Sequence, residues 1–265
     1  MEVLALDFDG VISDSAAESF VVALRTLVRL DSGSPLAGTN SDLSAADPEA
    51  VRAHPLYSGF LALMPLGNRA EDFAVALRLL EAGEEPEDQE EFDRFRESLG
   101  AEFLETFHAS FYVERAALRT ADPVRWLALL GPFEEFVALL RRRAADRTLA
   151  LATAKDRASV DLLLDAYGIA DLFAAERVVD KEAGRSKRAH LGILADRLGV
   201  GFDRMLFVDD KLNHLEDVAS LGVRCALAAW GYNGERERLL AAQRGFIVCE
   251  LAAAEDDLFG GRGSG

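Results

Sequence analysis

The chain has 265 residues, half of them hydrophobic and 28% charged, a mixture that packs a core and excludes an intrinsically disordered polymer. Its 46 acidic residues outnumber 29 basic ones, for a net charge of −17. A field of that sign repels phosphate backbones and anionic lipid, so neither nucleic acid nor a membrane surface is an expected partner.

In chain order, residues 3–7 form a short apolar run that ends in the acidic turn Asp7, Phe8, Asp9, Gly10. This is the pattern of a buried strand with polar groups at its C-terminal end. Residues 15–130 carry no convincing strand pattern. Residues 15–30 are apolar at helical spacing. Residues 33–48 are rich in Ser, Gly, Pro, Asn and Asp and read as a loop. A short helix is expected over 73–80. A long one is expected from Pro86, with Phe92, Phe95, Leu99, Phe103, Phe107 and Phe111 on one stripe facing a helical core.

From residue 133 the pattern alternates. Helical stretches at 133–143, 159–167, 188–198 and 212–221 separate apolar runs at 148–153, 177–179, 204–208, 223–227 and 245–248. Three of those helices stop before Gly168, Gly199 and Gly222, as C-caps require. Alternation with short links predicts an α/β fold, a Rossmann-like parallel sheet with helices on both faces. One strand precedes the helical stretch and the others follow it, so residues 1–14 and 131–265 form the α/β core and 15–130 a helical insert. The glycine-rich tail from residue 260 is expected to fray.

Ligands and catalysts in such sheets gather at the C-terminal ends of the strands. There the sequence puts Asp7 and Asp9, then Thr153, then Asp209 and Asp210, with Lys187 at the start of the helix before the fourth motif. Several carboxylates at neighbouring strand ends repel one another unless they share a cation, and oxygen ligands suit Mg²⁺. A hydroxyl and an ammonium beside them suit a phosphoryl group. Asp14 and Ser15 are candidate caps for the following helix. His190 and His214 are read as surface or capping residues. Cys225 and Cys249 lie in apolar stretches outside any CxxC pair, which fits buried free thiols in a reducing compartment. The N-terminus turns acidic by Asp7, unlike a secretory leader, so a cytoplasmic location is expected.

Read together, residues 7–15 (DFDGVISDS), the strand ending at Thr153, Lys187 and the Asp209-Asp210 pair resemble the four motifs of the haloacid dehalogenase superfamily, in the branch with a helical cap inserted after the first motif. The resemblance implies a phosphatase acting on a small phosphorylated metabolite. Asp7 would be the nucleophile, forming an aspartyl-phosphate, and Asp9 the general acid and base. Thr153, with the backbone at Ala154, would bind phosphoryl oxygens. Lys187, preferred to Lys181, would neutralise developing charge. Mg²⁺ would be held by Asp7, the Asp9 carbonyl and the fourth motif, with Asp210 favoured as direct ligand and Asp209 as a co-ligand. The only lysines are Lys155, Lys181, Lys187 and Lys211, and Lys155 is the further phosphate-binding candidate.

Two departures stand out. His214 occupies the place of a second fourth-motif acid, and Arg188 replaces the proline that commonly follows the third-motif lysine. Dehalogenation itself is disfavoured, because it does not need Asp9. A sugar-phosphate mutase on the same core and a non-catalytic phosphate-binding module are the alternatives. Arg25, Arg52, His54, Tyr57 and Arg69 are candidate substrate contacts from the cap. A monomer or homodimer is expected.

Overall fold

The computed structural model describes residues 2–39, 47–67, 69–184 and 186–260. Part of the expected loop at 33–48 and the tail beyond residue 260 lie outside them. The chain divides into two compact units. One comprises Met1–Asp14 with Pro132–Gly265, and the other is Ser15–Gly131.

The first unit is built on a six-stranded sheet. Its strands are β1 (Val3–Leu6), β2 (Thr148–Ala152), β3 (Val178–Val179), β4 (Met205–Asp209), β5 (Arg224–Ala228) and β6 (Ile247–Cys249). Their spatial order is β3-β2-β1-β4-β5-β6, and every pairing is parallel. Leu4 in the centre is in register with Leu149 on one side and Leu206 on the other. The helices of this unit are α8 (Glu134–Arg143), α9 (Arg157–Ala166), α10 (Lys187–Leu198), α11 (Leu212–Ala219), α12 (Glu235–Gln243) and α13 (Ala254–Phe259).

Why the central strands read as continuous apolar runs is plain from their burial. Val3, Ala5, Ala150, Ala152, Met205 and Phe207 share one core cluster with Leu191 and Leu194 of α10 and Leu215 and Val218 of α11. Residues of the other parity, among them Leu4, Leu6, Leu149, Leu151, Leu206 and Val208, are buried as well. A strand covered on both faces cannot alternate. Helix ends follow local chemistry. Asp156 and Ser186 cap α9 and α10 by accepting from Ser159 N–H and Ala189 N–H. Gly199 ends α10 in the left-handed conformation.

The topology matters for function. From β1 the chain steps to β2 and β3 on one side, then returns to β4 and continues to β5 and β6 on the other. The order therefore reverses between β1 and β4, and a crevice opens at their C-terminal ends.

The second unit is helical, with α1 (Ala16–Leu30), α2 (Pro48–Arg52), α3 (Tyr57–Leu63), α4 (Ala70–Ala82), α5 (Gln89–Ser98), α6 (Ala101–Ala121) and α7 (Pro123–Ala128). Phe20, Phe60, Phe107 and Phe111 are fully buried within it. Glu18 is buried too, and its carboxylate accepts from Arg115 Nε and Nη2 and from Trp126 Nε1. The long helix expected from Pro86 is instead two helices. Gly100, at φ +82°, breaks the path between α5 and α6. Of the expected stripe, Phe92, Phe107 and Phe111 are buried, while Phe95, Leu99 and Phe103 are only partly covered. No described helix is long and apolar enough to cross a membrane.

Candidate active site

Asp7 follows β1 directly. Its N–H donates to the Val208 carbonyl of β4, which ties it to the reversal point of the sheet. The chain then turns sharply. The Phe8 carbonyl accepts from Ile12 N–H and Ser13 N–H, and Gly10 N–H donates to the Ser13 carbonyl. Gly10 takes φ +79°, and a Cβ there would lie 2.4 Å from Asp210 Oδ2. Glycine is needed at this position for both its backbone freedom and its lack of a side chain.

Lys187, the first residue of α10, buries its ammonium in this crevice. Nζ lies 2.7 Å from Asp7 Oδ2 and 3.3 Å from Asp209 Oδ2, and it donates to the Ala152 carbonyl at 2.8 Å. The Ser186 cap fixes where α10 begins, and so where this lysine points. Burial opposes the charge, but Asp7 and Asp209 more than offset it and raise the Lys187 pKa above its ordinary value. Lys181, the alternative, is half-buried, and its N–H donates to the Lys155 carbonyl.

Asp9 is partly exposed, and its Oδ1 lies 2.8 Å from Lys155 Nζ. Lys155 itself is 1% exposed. Thr153 is buried just after β2. Its N–H donates to the Val179 carbonyl, and its Oγ1 accepts from Lys155 N–H. Ala154 between them is exposed.

The two fourth-motif acids sit in different surroundings. Asp209 ends β4 with no exposure; its Oδ1 accepts from Lys211 N–H, and the Nδ1 of His214 is 3.1 Å from both its oxygens. Burial pushes against its ionisation, but Lys187 and His214 prevail and hold its carboxyl well below the usual range. Asp210 is turned toward the first loop, where Oδ2 accepts from Tyr232 N–H and Lys211 Nζ stands 4.0 Å away. Burial, with Asp209 and Asp7 nearby, pushes Asp210 up to about 8. Burial likewise raises Asp7 to about 6, against the pull of Lys187.

Asp7, Asp209 and His214 each offer a ligand atom, all within 4.8 Å of one another, and they form the one such group of three or more among the described residues. Three buried carboxylates against Lys187 and the more distant Lys211 form an oxygen-rich, charge-deficient donor set that suits a hard divalent cation.

Sequence reasoning did not anticipate several of these neighbours. His214 is not a surface or capping residue, since it packs on Asp209. His190 is buried, its Nε2 against the Gly184 carbonyl. Asp14 Oδ1 accepts from Tyr232 Oη, and Ser15, at the start of α1, makes no side-chain capping bond. The segment after β5 was missed entirely. There Trp230 Nε1 donates to the Val11 carbonyl, and a Cβ on Gly231 would lie 2.3 Å from the Gly10 carbonyl oxygen. Its Trp-Gly-Tyr-Asn-Gly composition was the available signal. The candidate specificity residues are engaged inside the helical unit. Arg25 pairs with Glu114, Arg69 lies 4.0 Å from Glu71, and His54 and Tyr57 pack on Phe20. Arg52 is exposed.

The model of the haloacid dehalogenase-like hydrolase family matches residues 1–221. The chain belongs to this family. No curated protein matches it. Among solved structures, a predicted phosphoglycolate phosphatase from Haemophilus somnus 129pt shares 17% identity, covers 97% of each chain and superposes with a TM-score of 0.61. A haloacid dehalogenase-like hydrolase from Streptococcus pneumoniae gives 11% identity, 96% coverage of each chain and 0.59. A predicted phosphatase from Clostridium acetobutylicum gives 13%, 97% of each chain and 0.56. At these identities the likeness is one of fold. As a member of the family, the chain is a hydrolase built on a Rossmann-like sheet.

Proposed function

We propose that this hydrolase is a Mg²⁺-dependent phosphatase that acts on a small phosphorylated metabolite through an aspartyl-phosphate at Asp7. The observation that carries the reading is the pairing of two acids with two different lysines. Asp7 lies against Lys187, deep at the reversal point, while Asp9 lies against Lys155 and remains partly exposed.

That asymmetry suits two jobs. A carboxylate oxygen of Asp7 attacks phosphorus as the bond to the leaving oxygen breaks. Asp9 gives its proton to that oxygen, then takes one from the water that cleaves the acyl-phosphate and releases inorganic phosphate. Lys187 offsets negative charge on the transferring group and holds the Asp7 carboxylate in place. Thr153, with the backbone at Ala154, would supply donors for phosphoryl oxygens. Asp7 and Asp209, with Asp210 and the Asp9 carbonyl, are the groups that would hold Mg²⁺, which supplies charge neutralisation for phosphate binding and transfer. The helical unit Ser15–Gly131 would serve as the cap.

The test is a panel of phosphorylated metabolites, including phosphoglycolate because of the names that related folds carry, assayed with Mg²⁺ and with excess chelator. Metal-dependent release of inorganic phosphate from one small substrate supports the reading. Isomerisation without phosphate release would mean a mutase, and full activity in chelator would remove the metal.

A further inference from the structure

The segment after β5 touches both acidic loops of the site. Trp230 Nε1 donates to the Val11 carbonyl, Tyr232 Oη to Asp14 Oδ1, and Tyr232 N–H to Asp210 Oδ2 at 2.9 Å. Gly231 lies so close that a Cβ on it would come 2.3 Å from both the Gly10 carbonyl oxygen and the Asp210 Cβ. A side chain holds the segment over Asp210. Asn233 Nδ2 donates to the Asp210 carbonyl at 3.2 Å and to the Ala228 carbonyl at 2.9 Å. Ala228 ends β5 and Asp210 follows its neighbour β4, so one amide ties the ends of two adjacent strands together.

The orientation of that amide is fixed from behind. Asn233 Oδ1 accepts from Arg238 Nε at 2.9 Å, and Arg238 Nη2 donates to the Ala229 carbonyl. A guanidinium only donates and a carbonyl only accepts, so one orientation of the amide satisfies Arg238 and both carbonyls, and the flipped one satisfies none. The Ala228 carbonyl also accepts from Gly231 N–H at 3.0 Å, and the Gly231 carbonyl from Asn233 N–H at 3.0 Å. These bonds close the turn in which Tyr232 N–H faces Asp210. A main-chain donor points where its turn directs it, so the hold on Oδ2 depends on the side chain that shapes the turn.

We propose that Asn233, oriented by Arg238, is a positioning residue that sets the Asp210 carboxylate for Mg²⁺. It acts through Asp210 and touches neither metal nor substrate. Loss of the amide leaves the Asp210 and Ala228 carbonyls short of a donor, relaxes the turn and moves Tyr232 N–H off Oδ2. Hydrogen-bond partners behind a metal's ligands set its affinity by about 10- to 100-fold. The inference deepens the proposed function and rests on its assignment of Asp210 to the Mg²⁺ site.

The experiment titrates Mg²⁺ into the full chain by calorimetry, without substrate. The proteins are the wild type, Asn233→Ala, Arg238→Met, their double variant and Tyr232→Phe, and the melting temperature of each is recorded. Asn233→Ala should bind Mg²⁺ about 10- to 100-fold more weakly. Arg238→Met should lose less, and the double variant no more than Asn233→Ala alone, because both act through one amide. Tyr232→Phe removes the hydroxyl on Asp14 and keeps the N–H on Asp210, so it should lower the melting temperature and leave Mg²⁺ affinity unchanged. In phosphate release, rising Mg²⁺ should return the kcat of Asn233→Ala toward that of the wild type, a recovery that a merely damaged fold would not show. Asn233→Ala that melts lower yet binds Mg²⁺ like the wild type, or equal loss of affinity in Tyr232→Phe, overturns the inference and leaves the phosphatase reading standing. If Asn233→Ala does not fold, Arg238→Met decides, and unchanged Mg²⁺ affinity there overturns the inference. A wild type that binds no Mg²⁺ overturns both this inference and the metal requirement of the proposed function.

Discussion

Lys155 Nζ lies 2.8 Å from Oδ1 of Asp9, joining residues 146 positions apart. The lysine is almost fully buried, and the acid is not. The contact therefore holds the Asp9 carboxyl against a buried ammonium. Replacing Lys155 with Met should lower kcat with alkyl phosphates, by roughly 10- to 100-fold as part of the general acid–base contribution is lost. The loss should be smaller with an aryl phosphate, whose leaving group needs less protonation. Lys155→Arg should recover part of it. A uniform rise in KM, with kcat unchanged for both substrates, would assign the lysine to phosphate binding alone.

Gly10 and Gly231 both press on Asp210. A Cβ on Gly10 would come 2.4 Å from its Oδ2, and one on Gly231 would come 2.3 Å from its Cβ. Gly10→Ala also forces a left-handed backbone on alanine, which costs about 1–2 kcal/mol before any clash. Gly231→Ala meets the clash alone, at about 1–3 kcal/mol. Each should lower the melting temperature by several degrees, on the order of 5 °C, and should reduce activity by displacing Asp210. Gly83→Ala is the control. It shares the positive φ but has nothing within 4 Å, so it should cost only the backbone's about 1–2 kcal/mol and spare activity. Equal effects of all three on both readouts would contradict the packing argument.

Much of the site was legible because its residues stand where apolar runs stop. Residues 3–7 and 204–208 end in acids, and in the structure those ends meet at the β1–β4 reversal. Lys187 could be chosen over Lys181 because a helix pattern starts beside it. What could not be read were contacts between distant loops. Nothing local in residues 229–234 says that Trp230 reaches Val11 or that Tyr232 reaches Asp14. His214 stands in the place of a fourth-motif acid but reads as a surface or capping residue, because its partner, Asp209, belongs to the strand before it. The long helix from Pro86 misled because the aromatic spacing persists across Gly100, where the backbone changes hand.

Arg115 and Glu18 form a buried, two-point ion pair in the helical unit, which Trp126 completes. Arg115→Met should cost about 3–5 kcal/mol, because it leaves the Glu18 carboxylate buried without its counter-charge. The double variant Glu18→Leu with Arg115→Met should recover most of that loss. Urea unfolding followed by tryptophan fluorescence, with Trp126 as a local reporter, measures both. A double variant no more stable than Arg115→Met would mean that the pair stabilises the unit by more than its desolvation costs, and strictly additive losses would mean that the two residues are not coupled.

The account turns on the different work of Asp7 and Asp9, and the most direct measurement is the mass of acid-quenched protein after incubation with an aryl phosphate. Asp7→Asn lacks the nucleophilic carboxylate, so it should gain no phosphate and show no turnover. Asp9→Asn should still be phosphorylated by a good leaving group but should hydrolyse slowly, by about 10²–10⁴-fold. It should therefore accumulate one phosphate per chain, and peptide mapping should find it on Asp7. Phosphate on a serine or histidine, or the same labelling in both variants, would contradict the assignment.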